Sequence, residues 1–114
     1  MLKSMVFEGI PYSRSVAGSA RFQPSAACET RVTPPGSHPP GPAAPQRPSR
    51  LEGVMGKLSA PQAEDCLTLN IWTPDCNPAK RPVVVWFHGG AYISGAGNMP
   101  CYHGRELSER GDKL

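Results

Sequence analysis

"PVVVWFHGGAYISGAG", residues 82–97, decides how this chain is read. Val83 to Phe87 is a continuous β-branched and aromatic run, the pattern of a strand covered on both faces in the middle of a parallel sheet. It runs straight into His88 and the pair Gly89-Gly90, where the missing Cβ atoms let the backbone turn sharply and bring consecutive N–H groups to face one point. Two converging amides make an anion cradle. A phosphate loop would carry Gly-Lys-Ser/Thr, or a GxGxxG opening a long helix, and neither is present. The better match is an oxyanion hole, although a plain tight turn after a strand uses the same residues.

Upstream, Cys66 to Trp72 in "CLTLNIW" alternates, with Leu67, Leu69 and Ile71 on one face and Thr68, Asn70 and Trp72 on the other, which predicts a half-buried strand. Thr73 to Pro78 supplies turn chemistry between this strand and the next. "MVFEGIPYS" at 5–13 is apolar enough for an edge strand ending at the Gly9–Pro11 turn signal. Half of the 14 prolines fall between Pro34 and Pro48, so residues 25–50 read as an irregular, Pro-rich segment in which neither a helix nor a central strand can form. Arg105 to Arg110 suits a short helix with Gly111 as its stop. There is no internal repeat.

Composition narrows the function classes. The 114 residues allow one small domain or a piece of one, and the net charge of +3 comes from 12 basic and 9 acidic residues with no block of like charge, which argues against nucleic acid. Neither a secretory apolar core nor the ~18 apolar residues of a membrane span occurs, so export and membrane partners are not expected. Cys28, Cys66, Cys76 and Cys101 are irregularly spaced without a CxxC pair, so no metal site is signalled and free thiols are expected.

"EDCLTLNIWTP", Glu64 to Pro74, matches position by position the signature of the type-B carboxylesterases, the family of cholinesterases and bacterial para-nitrobenzyl-type esterases. "FEGIPY" and "RFQP" before it, and "PVVVWFHGGAYISGAG" after it, resemble that family's amino-terminal region in the correct order. Hormone-sensitive-lipase relatives share the HGG loop but not the "EDCLTLN" strand. The resemblance implies that residues 1–114 are the amino-terminal part of an α/β-hydrolase domain, an α/β fold. It implies a serine-type hydrolase of small carboxylic esters that needs no cofactor or metal. In this family the backbone N–H groups of Gly90 and Ala91 point at the developing oxyanion, Gly89 gives the approach, and His88 is a positioning residue. Taken alone, His88 reads as a buried, hydrogen-bonded ring. Tyr92 and "ISGAG" border the acyl pocket by resemblance; otherwise Tyr92 is an aromatic lid on the sheet edge. Arg21 and Glu64 are implied to form an ion pair tying the amino-terminal segment to the sheet, the alternative being two independent surface charges.

The chain also departs from that pattern. No G-x-S-x-G occurs, so the nucleophile elbow and the whole Ser, acid and His triad are absent, and no catalytic residue is assigned. Ser94 with His103 is a poor substitute, because neither elbow nor orienting carboxylate accompanies them. The chain therefore reads as an amino-terminal fragment, inactive by itself. A parent that binds without hydrolysing, like the cholinesterase-like adhesion proteins, and a truncated product without function are the competing readings. At 25–38 the family's Trp is missing, and Thr33, Pro34 and Pro35 spell what codons for Asp-Ala-Thr give one nucleotide on. We take this as the hypothesis of a compensated frameshift, which translation of the gene in all frames tests. Ala44 stands where many secreted members carry the cysteine that bridges to the Cys66 position, which points to a cytoplasmic protein.

Overall fold

Two apolar runs far apart in sequence form the only regular sheet among the described residues, 4–29 and 34–111 of the computed structural model. Strand β1 (Met5–Pro11) pairs antiparallel with β2 (Thr68–Thr73), joining Met5 to Thr73, Phe7 to Ile71 and Pro11 to Thr68. Between Phe7 and Ile10 the register slips, because Glu8 and Gly9 stand opposite Asn70 alone. Gly9 takes φ +61° at this bulge, its N–H donates to Asn70 Oδ1 at 3.0 Å, and the Pro39 carbonyl oxygen occupies the place of any Cβ. The Gly9–Pro11 turn signal therefore marks a bulge inside the strand and not its end.

The alternation of β2 is present, but its buried face is the opposite of the one expected. Leu69 and Ile71 are exposed, while Thr68, Asn70 and Trp72 are half-buried. The reason is what covers them. Gly41 closes on Thr68, and Gly104 lies so near Trp72 that a Cβ there would stand 2.8 Å from the ring. Beyond Gly104, helix α2 (Arg105–Gly111) packs on β2, and its Glu109 accepts the Ser4 N–H at 3.2 Å. On the other face Leu69 and Ile71 are 39% and 44% exposed.

Val83–Phe87 overturns its expectation. It forms no strand, and its five side chains are between 65% and 85% exposed. A strand apolar on both faces needs a ladder partner and two covering layers. The described residues supply one two-stranded sheet and, besides α2, a four-residue helix α1 (Glu52–Met55).

The Pro-rich segment is irregular but anchored. Ala43 donates its N–H to the Pro61 carbonyl at 2.9 Å and accepts from the Ala63 N–H at 3.0 Å, and Asn98 Nδ2 donates to the Gly41 carbonyl at 2.8 Å. Ala43, Ala96 and Met99 form the small buried core, with Met55, Leu58, Ala60 and Tyr102 against it. Thr33, on which the frameshift reading partly rests, lies outside the described residues. No helix among the described residues is long and apolar enough to cross a membrane.

An uncharged, exposed "PVVVWF" is a template for intermolecular strand pairing. We predict that Val85→Lys lowers light scattering by the isolated chain several-fold at equal concentration. Equal scattering by parent and variant would remove Val83–Phe87 as the cause.

Candidate active-site loop and its relatives

The HGGAY loop is a tight left-handed turn. The Gly90 carbonyl accepts from Ile93 N–H at 3.0 Å and from Ser94 N–H at 3.2 Å. Gly90 adopts φ +118°, and the Ser94 carbonyl oxygen fills the space a Cβ would need, so only glycine fits. Ala91 and Tyr92 follow at φ 54° and 61°. Each non-glycine residue held there costs roughly 1–2 kcal/mol. The Gly90 and Ala91 N–H groups find no protein acceptor among the described residues.

The supporting residues lie differently from their expectations. His88 is hydrogen-bonded but exposed, with Nδ1 2.7 Å from the Gly89 carbonyl oxygen, so that nitrogen carries the proton. The expected burial fails because no layer closes over the loop among the described residues. Tyr92 stands fully in solvent rather than on a sheet edge. Ser94 Oγ donates to Ser49 Oγ at 3.2 Å, whereas His103 packs edge-on against Trp72 with ring centres 5.3 Å apart. The two are not brought together. Arg21 Nε meets Glu64 Oε1 at 2.7 Å, and the same guanidinium lies 5.1 Å from the centre of the Phe22 ring.

One residue escaped the sequence reading. Gln46 Oε1 accepts from Gly95 N–H at 2.7 Å, and its Nε2 donates to the Gly95 carbonyl at 2.9 Å and to the Ala44 carbonyl at 3.0 Å. A groove of about 370 Å³ runs between the 46–58 segment and the loop, lined among others by Gln46, Pro48, Met55, Gly90, Ser94 and Met99. All four cysteines are free thiols. Burial pushes the Cys66 thiol up from its ordinary value; its own backbone works against this and the neighbouring Asp65 charge adds to it. No group of three or more potential metal ligands occurs among the described residues.

The model of the carboxylesterase family matches residues 3–113. The chain belongs to that family. As a carboxylesterase-family chain it is 47% identical to the probable N-octanoylanthranilate hydrolase of Rhodococcus erythropolis over 90% of its own length and 22% of the relative's. It is 36% identical to the para-nitrobenzyl esterase of Bacillus subtilis over 95% and 22%. Among solved structures it resembles a thermophilic para-nitrobenzyl esterase at TM-score 0.77 and 37% identity, covering 92% of this chain and 22% of that one. The carboxylesterase-family chain thus spans about a fifth of the length of its relatives. The solved structures it resembles are esterases of the α/β-hydrolase class.

Two outcomes follow from the geometry. Both partners of the Arg21–Glu64 pair are more than one-third exposed, so a double-mutant cycle with Arg21→Ala and Glu64→Ala should return a coupling energy below about 1 kcal/mol; a clearly larger one would mean the pair is shielded in solution. A raised pKa leaves less thiolate at a given pH. Alkylation of Cys66 in the native chain should therefore set in at higher pH than in the urea-unfolded chain, and coincident pH profiles would contradict the burial.

Proposed function

We propose that this chain is the oxyanion-hole portion of a serine-type carboxylic-ester hydrolase with the α/β-hydrolase fold, acting on a small-molecule carboxylic ester. The observation that carries the reading is that the Gly90 and Ala91 N–H groups, in a turn closed by Ile93 and Ser94, have no protein acceptor among the described residues. Support comes from the family membership and from relatives named as a probable N-octanoylanthranilate hydrolase and a para-nitrobenzyl esterase. In acyl transfer, negative charge appears on the carbonyl oxygen only as the nucleophile attacks. Donors already aimed at that oxygen stabilise the transition state more than the bound ester, each worth roughly 10²–10³ in rate. A third donor is the N–H following the nucleophile of the elbow. His88, with its protonated Nδ1 on the Gly89 carbonyl, holds the approach to the loop and is not the base.

The nucleophile, its His and the acid are outside residues 1–114, where no G-x-S-x-G occurs. The reaction so read uses no cofactor or metal. We further place the protein in the cytoplasm, on the ground that Ala44 leaves Cys66 without the partner of secreted members and that the thiols stay free.

The test has two arms. The 114-residue chain, incubated with a chromogenic short-chain ester, is expected to show no turnover above the uncatalysed rate, because an oxyanion hole lowers the barrier only for an attack something else delivers. Turnover that vanishes in Gly90→Pro would overturn this and reveal an unrecognised nucleophile. The second arm reads the gene past Leu114. An in-frame G-x-S-x-G supports the hydrolase, and a family-like continuation without it would defeat the reading in favour of a binding protein.

A further inference from the structure

The clasp between Gln46 and Gly95 joins residues 49 apart in sequence, and it is the only side-chain contact among the described residues that grips the backbone of the glycine loop from outside. A carboxamide offers one acceptor and two donors, and all three functions are used here: Oε1 on Gly95 N–H, Nε2 on the carbonyls of Gly95 and Ala44. Gln46 is itself fixed, because its N–H donates to Gln62 Oε1 at 2.7 Å. Gly95 is the residue after Ser94, whose carbonyl oxygen stands against Gly90 Cα and whose N–H donates to the Gly90 carbonyl. Holding Gly95 by both its amide and its carbonyl therefore sets the orientation of the peptide that closes the turn. Gly90 and Ala91 belong to that turn.

We infer that Gln46 is a positioning residue for the oxyanion donors, acting through Gly95. The inference rests on the reading of Gly90 and Ala91 as those donors, but its test reads loop geometry without turnover, so the two can fail separately. Donors must stand about 3 Å from the oxyanion to act. A residue that fixes the turn therefore controls their use without touching substrate. No other residue type has the same reach with a donor and an acceptor side by side, except glutamate when protonated.

The sequence provides clean probes in the full 114-residue chain. Ser94-Gly95 is the only Ser-Gly step and Gly89-Gly90 the only Gly-Gly step, so carbonyl-13C serine with 15N glycine isolates the Gly95 amide by NMR, and doubly labelled glycine isolates that of Gly90. Gly9 and Gly53, the two glycines that follow glutamate, report on β1 and α1 as controls for folding. In the parent the Gly95 amide proton is expected downfield of its unfolded position. Gln46→Ala should return it towards that position and move Gly90 as well, with Gly9 unchanged. Gln46→Glu should keep both resonances near their parental places well below the ordinary Glu pKa of ~4.3 and displace Gly90 once ionised, when the oxygen standing in place of Nε2 faces the Gly95 and Ala44 carbonyls with no proton to donate. The parent at the same two pH values subtracts the charge on His88, whose ring lies against Gly95, and those of Arg47, Glu52 and Lys57 along the groove. A Gly90 resonance indifferent to Gln46→Ala, a Gln46→Glu chain with no rescue by protonation, or a Gly95 amide already at its unfolded position in the parent would each overturn the proposal.

Discussion

Ala43 is bonded on both sides, to the Pro61 carbonyl and the Ala63 N–H, and much of the molecule depends on those two bonds. Proline brings no amide, so Pro39, Pro40, Pro42 and Pro45 cannot stitch their segment to anything by donating. Ala43 can, and it does so with its side chain in the small core beside Ala96 and Met99. Two residues before it, Gly41 is pressed against Thr68 at the start of β2 and accepts from Asn98. Three residues after it, Gln46 reaches the glycine loop. One short ladder therefore registers the Pro-rich segment against both the sheet and the candidate site.

What was legible in the sequence was local. The alternation of "CLTLNIW" marks a strand, and Arg105–Gly111 is a helix, because period and end signals are written within each segment. Which face of β2 is buried was not legible, since that depends on Gly41 and Gly104 arriving from other parts of the chain. Gly9 signalled a break in regularity but not its kind; a positive φ serves a bulge as well as a turn, and Asn70 opposite decided between them. Gln46 carried no signal at all. A carboxamide inside a Pro-rich stretch has no periodicity, and its partner is far away in sequence.

Val83–Phe87 shows the same division more sharply. Its composition states what environment it suits, two apolar layers and a ladder on each edge, but composition cannot supply that environment. The described residues bury three apolar side chains, none of them in this run, and Trp86 meets the Tyr102 ring in a tilted contact at 5.5 Å between ring centres. Left in water, the side chains of this run carry an unfavourable free energy that burial between two apolar layers removes.

The loop that follows is closed by hydrogen bonds nonetheless, and the reason separates two things that the strand-and-loop motif presents as one. The turn at Gly90 is closed by its own bonds from Ile93 and Ser94 and clamped from the amino-terminal side by Gln46, all contacts that bypass Val83–Phe87. The strand's pairing and the loop's geometry therefore draw on different partners. A loop closed by its own turn and by a clasp 49 residues upstream takes its shape from contacts other than those of the run that precedes it.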